Sequence, residues 1–147
     1  LIGNGVTFYF TANQPVPATR PGTFLVSKTY SPGTVLINGG TATEGVTQLY
    51  APTSGATEGK LFIQDRTQPA SAPFDIQGSN QTDLEGIIYF PGTDILYQNS
   101  TENQAHYTII VGKTLRLDGG GANLRVKNDY SVLANGAPIK AQVVISE

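Results

Sequence analysis

The chain has 147 residues, the size of one domain, with 39 % hydrophobic and only 14 % charged residues, 17 glycines and 9 prolines. A net charge of −2 without any Lys/Arg run speaks against nucleic acid, whose phosphates need several closely placed cations. The absence of cysteine excludes disulfides, thiolate catalysis and Cys-ligated metals, and no apolar run approaches the ~20 residues of a membrane span.

No segment keeps a helical apolar period for long. Apolar residues alternate or come in short runs between dense turn signals. The first predicted unit begins at Gly5–Phe10, continues through Thr34–Gly39 and extends to Val46–Pro52. The second begins at Gly59–Asp65 and continues through Phe74–Gly78 to Thr82–Leu84. The third is Gly86–Phe90, a turn at Pro91–Gly92, then Asp94–Asn99. The fourth is Tyr107–Gly112, Leu115–Asp118 and Asn123–Val126. The tail Ala141–Glu147 reads as a last strand. Two inserts interrupt the units: a loop at Ala12–Ser31, with a small strand at Phe24–Ser27, and a polar excursion at Gln64–Pro73.

The units are variants of one another. VTFYF (Val6–Phe10), KLFIQD (Lys60–Asp65), GIIYFPG (Gly86–Gly92) and HYTIIVG (His106–Gly112) share a pattern. Each has a second strand of similar flavour: VLING (Val35–Gly39), FDIQG (Phe74–Gly78), DILYQN (Asp94–Asn99) and TLRLDGG (Thr114–Gly120). One unit alone cannot hide its inward face, so the repeats predict stacking into rungs. The expected fold is all-β: one domain over 1–147, a right-handed parallel β-helix or solenoid of about four irregular rungs. Phe8, Leu36, Phe62, Ile76, Ile88, Leu96, Ile110 and Leu117 are expected in its inner columns. An antiparallel β-sandwich fits the same short strands and turns.

Several residues invite a chemical reading. Asp65, Arg66, Asp75, Asp83 and Glu85 form the densest charge cluster. On one outer face they would supply the acid and base that polysaccharide cleavage needs within reach of one sugar; otherwise they are solvated turn residues. His106 is the sole histidine, sits at the lip of a strand, and has no G-x-S-x-G nucleophile elbow to serve. Asp118–Gly121 is a tight corner, since calcium-binding glycine motifs recur on successive turns and this one does not. Asn80–Thr82 and Asn99–Thr101 match the glycosylation sequon, which has meaning only in a glycosylating pathway. Tyr9, Tyr89 and Tyr107 fall in corresponding strands and form either an outward ladder or ordinary cross-strand packing. The candidate ligand-binding residues are thus Asp65, Arg66, Asp75 and Tyr89. No catalytic set, metal site or cofactor is expected.

In order along the chain come GNGVTFYFT (Gly3–Thr11), LYAPTSG (Leu49–Gly55), GKLFIQDR (Gly59–Arg66), IQGSNQTDLEGIIYFPGTDILYQN (Ile76–Asn99) and YTIIVGKTLRLDGGGANL (Tyr107–Leu124). Together they resemble the C-terminal β-repeat region of TadG-like, Flp (Tad) pilus-assembly proteins of bacteria. The resemblance covers most of the chain, is weakest at Ala12–Ser31 and after Asn128, and lacks the cysteines many members carry near the final segments. It implies an exported domain of a longer, membrane-anchored protein connected with pili or the envelope. The chain starts inside a strand without Met, so a processed product or fragment is expected, with any signal or anchor upstream.

The sequence therefore predicts a non-catalytic structural or adhesive module of the bacterial envelope or a surface appendage. Its expected partners are further copies of itself, pilus or envelope components, and glycans. Self-association into filaments is expected because open-ended rungs permit heterologous contacts and no cap is visible at Leu1–Val6. The competing reading is a polysaccharide-binding or polysaccharide-degrading β-helix protein.

Overall fold

Strand formation follows the β-branched and aromatic runs. The computed structural model describes residues 2–11, 23–27, 35–38, 47–66, 73–78, 82–99, 105–118 and 127–138. They contain nine strands and no helix: β1 (Ile2–Asn4), β2 (Thr7–Thr11), β3 (Thr23–Ser27), β4 (Val35–Asn38), β5 (Thr47–Tyr50), β6 (Lys60–Gln64), β7 (Phe74–Gly78), β8 (Thr82–Asn99) and β9 (Thr108–Leu117). Every pairing between these strands is parallel. An antiparallel sandwich would not give that pattern. The small strand expected in the first insert is β3, beside β2. Asn123–Val126, the tail strand Ala141–Glu147 and Gly119–Gly121 lie outside the described residues, as does most of both sequons.

The long strand β8 organises the sheet. Its Thr82–Glu85 part pairs with β5, Ile87–Tyr89 with β6 and Ile95–Asn99 with β7. β1 continues the first column, β2 and β3 the second, β4 the third. On its other edge β8 pairs with β9 from Gly86 to Tyr97. The parallel sheet therefore curls as β8 passes from column to column.

Two corners show how the chain turns without leaving the ladder. At the first, Gly86 holds φ 137°, and a Cβ there would lie 2.7 Å from Ala51 Cβ and 2.8 Å from Leu61 Cβ. Only glycine fits both that backbone angle and that approach. At the second, Pro91–Gly92 is not the turn the sequence predicts. The strand runs through it, and the β8–β9 register slips between Phe90 and Asp94. Proline has no N–H to give the ladder, so pairing is interrupted there rather than the strand ended.

The core is the inner side of these columns. In the second, Phe8, Phe62, Ile88 and Ile110 stand in one register row, as expected. Phe62 and Ile88 are buried, with Phe8 and Ile110 packed against them. An aromatic cluster extends the row: Phe74 and Phe90 stack at 4.1 Å between centroids, and Phe8 and Phe62 at 5.2 Å. In the third column Ile76 is inside as expected, Leu96 is corrected by one position, and Leu117 shares the inner row of Ile76 and Tyr97 without being covered. Ile95 and Tyr97 are buried beside Phe74 and Ile76, whereas Leu96 is only half-buried and Leu117 is exposed. Leu36 shares the register row of Asp75 and Leu96, and its side chain lies outside the described residues.

A closing segment, residues 127–138, packs at the first corner. Tyr107 and Asn128 form an antiparallel bridge, Thr108 N donates to Lys127 O, and Ala134 N donates to Thr53 O. Glu58 accepts from Asn135 N at 2.7 Å and from Asn135 Nδ2.

Candidate functional site

Two places concentrate polar chemistry. The first is the outside of the second column. Successive residues of a strand point to opposite faces, so a row adjacent to Phe8–Phe62–Ile88–Ile110 must face outward. That row is Tyr9, Ile63, Tyr89 and Val111, each only half-buried. Arg66, exposed just beyond the end of β6, reaches over it. Its Nε donates to Tyr89 Oη, and its Cζ lies 5.5 Å from the Tyr89 ring centroid. That geometry combines a hydrogen bond with a cation–π contact.

The second place is the outside of the first column, where Asn4, Tyr50 and Glu85 share a row beside Gln48 and Asp83. Glu85 Oε2 accepts from the His106 backbone N–H at 2.9 Å and meets His106 Nδ1 at 2.7 Å. Gln48 Nε2 donates to Asp83 Oδ2 at 3.3 Å. Burial, then the charges of Asp83 and Glu85, push the Tyr50 phenol above its usual range. Asp129, whose backbone N–H donates to His106 O, is held below the usual carboxylate range. The cause is the Ser131 side-chain and backbone donors, with His106 adding a smaller effect.

The sequence candidates separate accordingly. Arg66 and Tyr89 are joined. Asp65 is half-buried next to Arg66, its backbone N–H donating to Phe10 O at 2.9 Å. Asp75 is buried in β7 of the third column, and Glu85 belongs to the first. The cluster of charge in the sequence is thus spread over three columns rather than gathered in one groove. Reading Asp75, Asp83 and Glu85 as solvated turn residues is also corrected, because all three are buried within strands. Tyr107 does not belong to an outward ladder. It is 1 % exposed and packs at 5.4 Å against the Tyr130 ring. The Glu85–His106 pair was not legible as a pair, since only the pairing of Gly86 with Thr108 brings these residues together.

Among the described residues no group of three or more His, Asp or Glu side chains is arranged to hold a metal ion. Among the same residues, no helix is long and apolar enough to cross a membrane. Comparison with known proteins finds no matching family model, no matching curated protein and no matching solved structure.

Proposed function

We propose that the chain is a right-handed parallel β-helix serving as a structural and adhesive module of the bacterial cell envelope or a surface appendage, and that its copies associate end to end. The handedness follows the strong right-handed preference of crossovers between parallel strands. Repetition at the first corner supports the solenoid. Val6 N donates to Tyr50 O, Ala51 N to Glu85 O and Gly86 N to Tyr107 O, the same bond at successive levels. The envelope setting is supported by the resemblance to TadG-like pilus-assembly proteins and by a charge-poor composition rich in Gly and Pro.

One observation carries end-to-end association. The inner rows Phe74–Ile95 and Ile76–Tyr97 continue to Leu115 and Leu117 of β9, yet these two leucines are 46 % and 52 % exposed. Among the described strands β9 pairs on one edge only. Beyond Thr108, whose N–H bonds Lys127 O, that edge has no strand partner among the described residues, and an open edge with apolar side chains in core register is a template for another strand. A second copy adding a rung there would bury both leucines in a heterologous contact, which propagates as a filament when it does not close.

Sedimentation velocity across a wide concentration range, with electron microscopy of the same samples, tests this. The expected result is growth of the sedimentation coefficient with concentration, reversed in the Leu115→Lys/Leu117→Lys double variant. Monomers alone at every concentration would sink the proposal.

A further inference from the structure

We infer that the outer row of the second column binds an extended acidic polysaccharide, laid across the strands along Tyr9, Ile63, Tyr89 and Val111 with a carboxylate on Arg66. The inference rests on the adhesive part of the reading above and names the ligand class of that surface.

The row has the geometry of a repeated platform. Tyr9 and Tyr89 are two pairings apart, with Ile63 between them. Their separation along the stack is therefore about 9.6 Å, twice the strand spacing. That span accommodates two units of an extended hexose chain, so a pyranose ring can lie on each tyrosine and another on Ile63. The C–H face of a sugar is apolar, and a flat aromatic presents a large area for it at low conformational cost. Ile87 and Ile109, also half-buried and paired with each other, stand in β8 and β9. An apolar outer surface of this kind is unusual on a parallel sheet unless something covers it.

Arg66 makes the surface selective. Its guanidinium is fixed over Tyr89 by the Nε bond and is exposed, and no ion pair with a carboxylate is formed by it among the described residues. Its remaining donors suit the fork geometry of a carboxylate. A hexuronate chain supplies one carboxylate per sugar on an otherwise stackable ring. Single-stranded nucleic acid also stacks on tyrosines, but it needs a basic groove along its phosphates. Here one arginine serves two tyrosines in a chain of net charge −2.

The test is titration of the whole chain with polygalacturonate, with uncharged cellohexaose and with an oligothymidylate as competitors, by calorimetry at low and high salt. Polygalacturonate binding that weakens with salt and exceeds cellohexaose binding is expected. Arg66→Gln, a change at an exposed side chain, is expected to weaken it about tenfold. Tyr89→Phe is expected to retain most stacking, and Tyr89→Ala to lose it. Folding of each variant is checked by circular dichroism. Absence of polygalacturonate binding by the folded protein, binding unchanged in Arg66→Gln, equal binding of cellohexaose, or displacement by oligothymidylate at equal potency would each overturn the inference. The Leu115→Lys/Leu117→Lys variant separates the two proposals. If it binds polygalacturonate but does not assemble, only association depends on the β9 edge.

Discussion

Glu85 and His106 are clamped at two points: one carboxylate oxygen takes both the His106 backbone N–H and its Nδ1. Glu85 is in β8, while His106 precedes β9 and its carbonyl accepts from Asp129 N in the closing segment. The carboxylate thus ties the curled sheet to the segment that covers its first corner.

The two partners are not equivalent, and that is testable. His106 is mostly exposed, so His106→Ala removes a solvent-screened contact and keeps the backbone bond. A cost of about 0.5–1 kcal/mol is expected. Glu85→Ala leaves the His106 N–H without its acceptor and opens space at a buried position, for about 2–3 kcal/mol. Urea unfolding of both variants measures the difference. Equal losses would show that the ring contact, not the backbone bond, is the fastening.

Tyr107 offers the opposite case. Its ring is buried, and its hydroxyl has no hydrogen-bond partner among the described residues. Tyr107→Phe removes a desolvated, unpartnered group and is expected to be neutral or to stabilise by about 1 kcal/mol. Burial first, then Glu85, Glu58 and Tyr130, raise the Tyr107 phenol well above its ordinary value. The folded state therefore holds this proton more tightly than the unfolded state. The corresponding stability is complete below about pH 10, where an unfolded tyrosine titrates, and is lost as the pH rises beyond it. Urea titrations between neutral and strongly alkaline pH should show a shallower alkaline loss in Tyr107→Phe than in the parent chain.

How far the sequence reaches depends on the column. The row Phe8–Phe62–Ile88–Ile110 was legible because four similar phrases align there, the one slip in that column falling before the row, between Lys60 and Phe62. In the third column only Ile76 was, because the alternation of inner positions does not carry through Pro91–Gly92 in β8. Phe90 and Ile95 are both buried although they stand an odd number of positions apart, so beyond the corner Ile95 and Tyr97 replace Leu96 inside. Burial of Asp83 and Glu85 was hidden for another reason. Alternation reports which face a residue takes, but not that the outer face of the first column is itself covered. Arg66 and Tyr89 were both singled out by residue type, while their contact depends on the pairing of Ile63 with Tyr89.

The glycine corner separates two costs that glycines usually combine. Gly55 has φ 88°, and a Cβ added there would meet nothing within 4 Å, so Gly55→Ala carries only the backbone cost, about 1–2 kcal/mol. Gly86 adds contacts at 2.7 and 2.8 Å with Ala51 and Leu61 in the core. Overpacking of that kind adds about 1–3 kcal/mol, so Gly86→Ala is expected to lose clearly more than Gly55→Ala. Comparable thermal midpoints for the two variants would show that β8 relaxes at this corner without cost.

The row Phe74–Ile95–Leu115 provides a comparison within a single register line. Ile95 is fully buried between neighbours, so Ile95→Ala creates a cavity and should cost about 2–5 kcal/mol. Leu115 occupies the next position of the same row but is exposed, and Leu115→Ala should change monomer stability by no more than about 0.5 kcal/mol. The two variants should diverge in the opposite sense with protein concentration. If copies add a rung at β9, the parent chain gains apparent stability as concentration rises, because association favours the folded state by mass action. Leu115→Ala should lose that gain while Ile95→Ala keeps it from a lower baseline. Denaturation curves collected over a hundredfold range of concentration distinguish these behaviours. A parent curve that does not move with concentration would place Leu115 on a plain solvent edge and leave the row ending at β9.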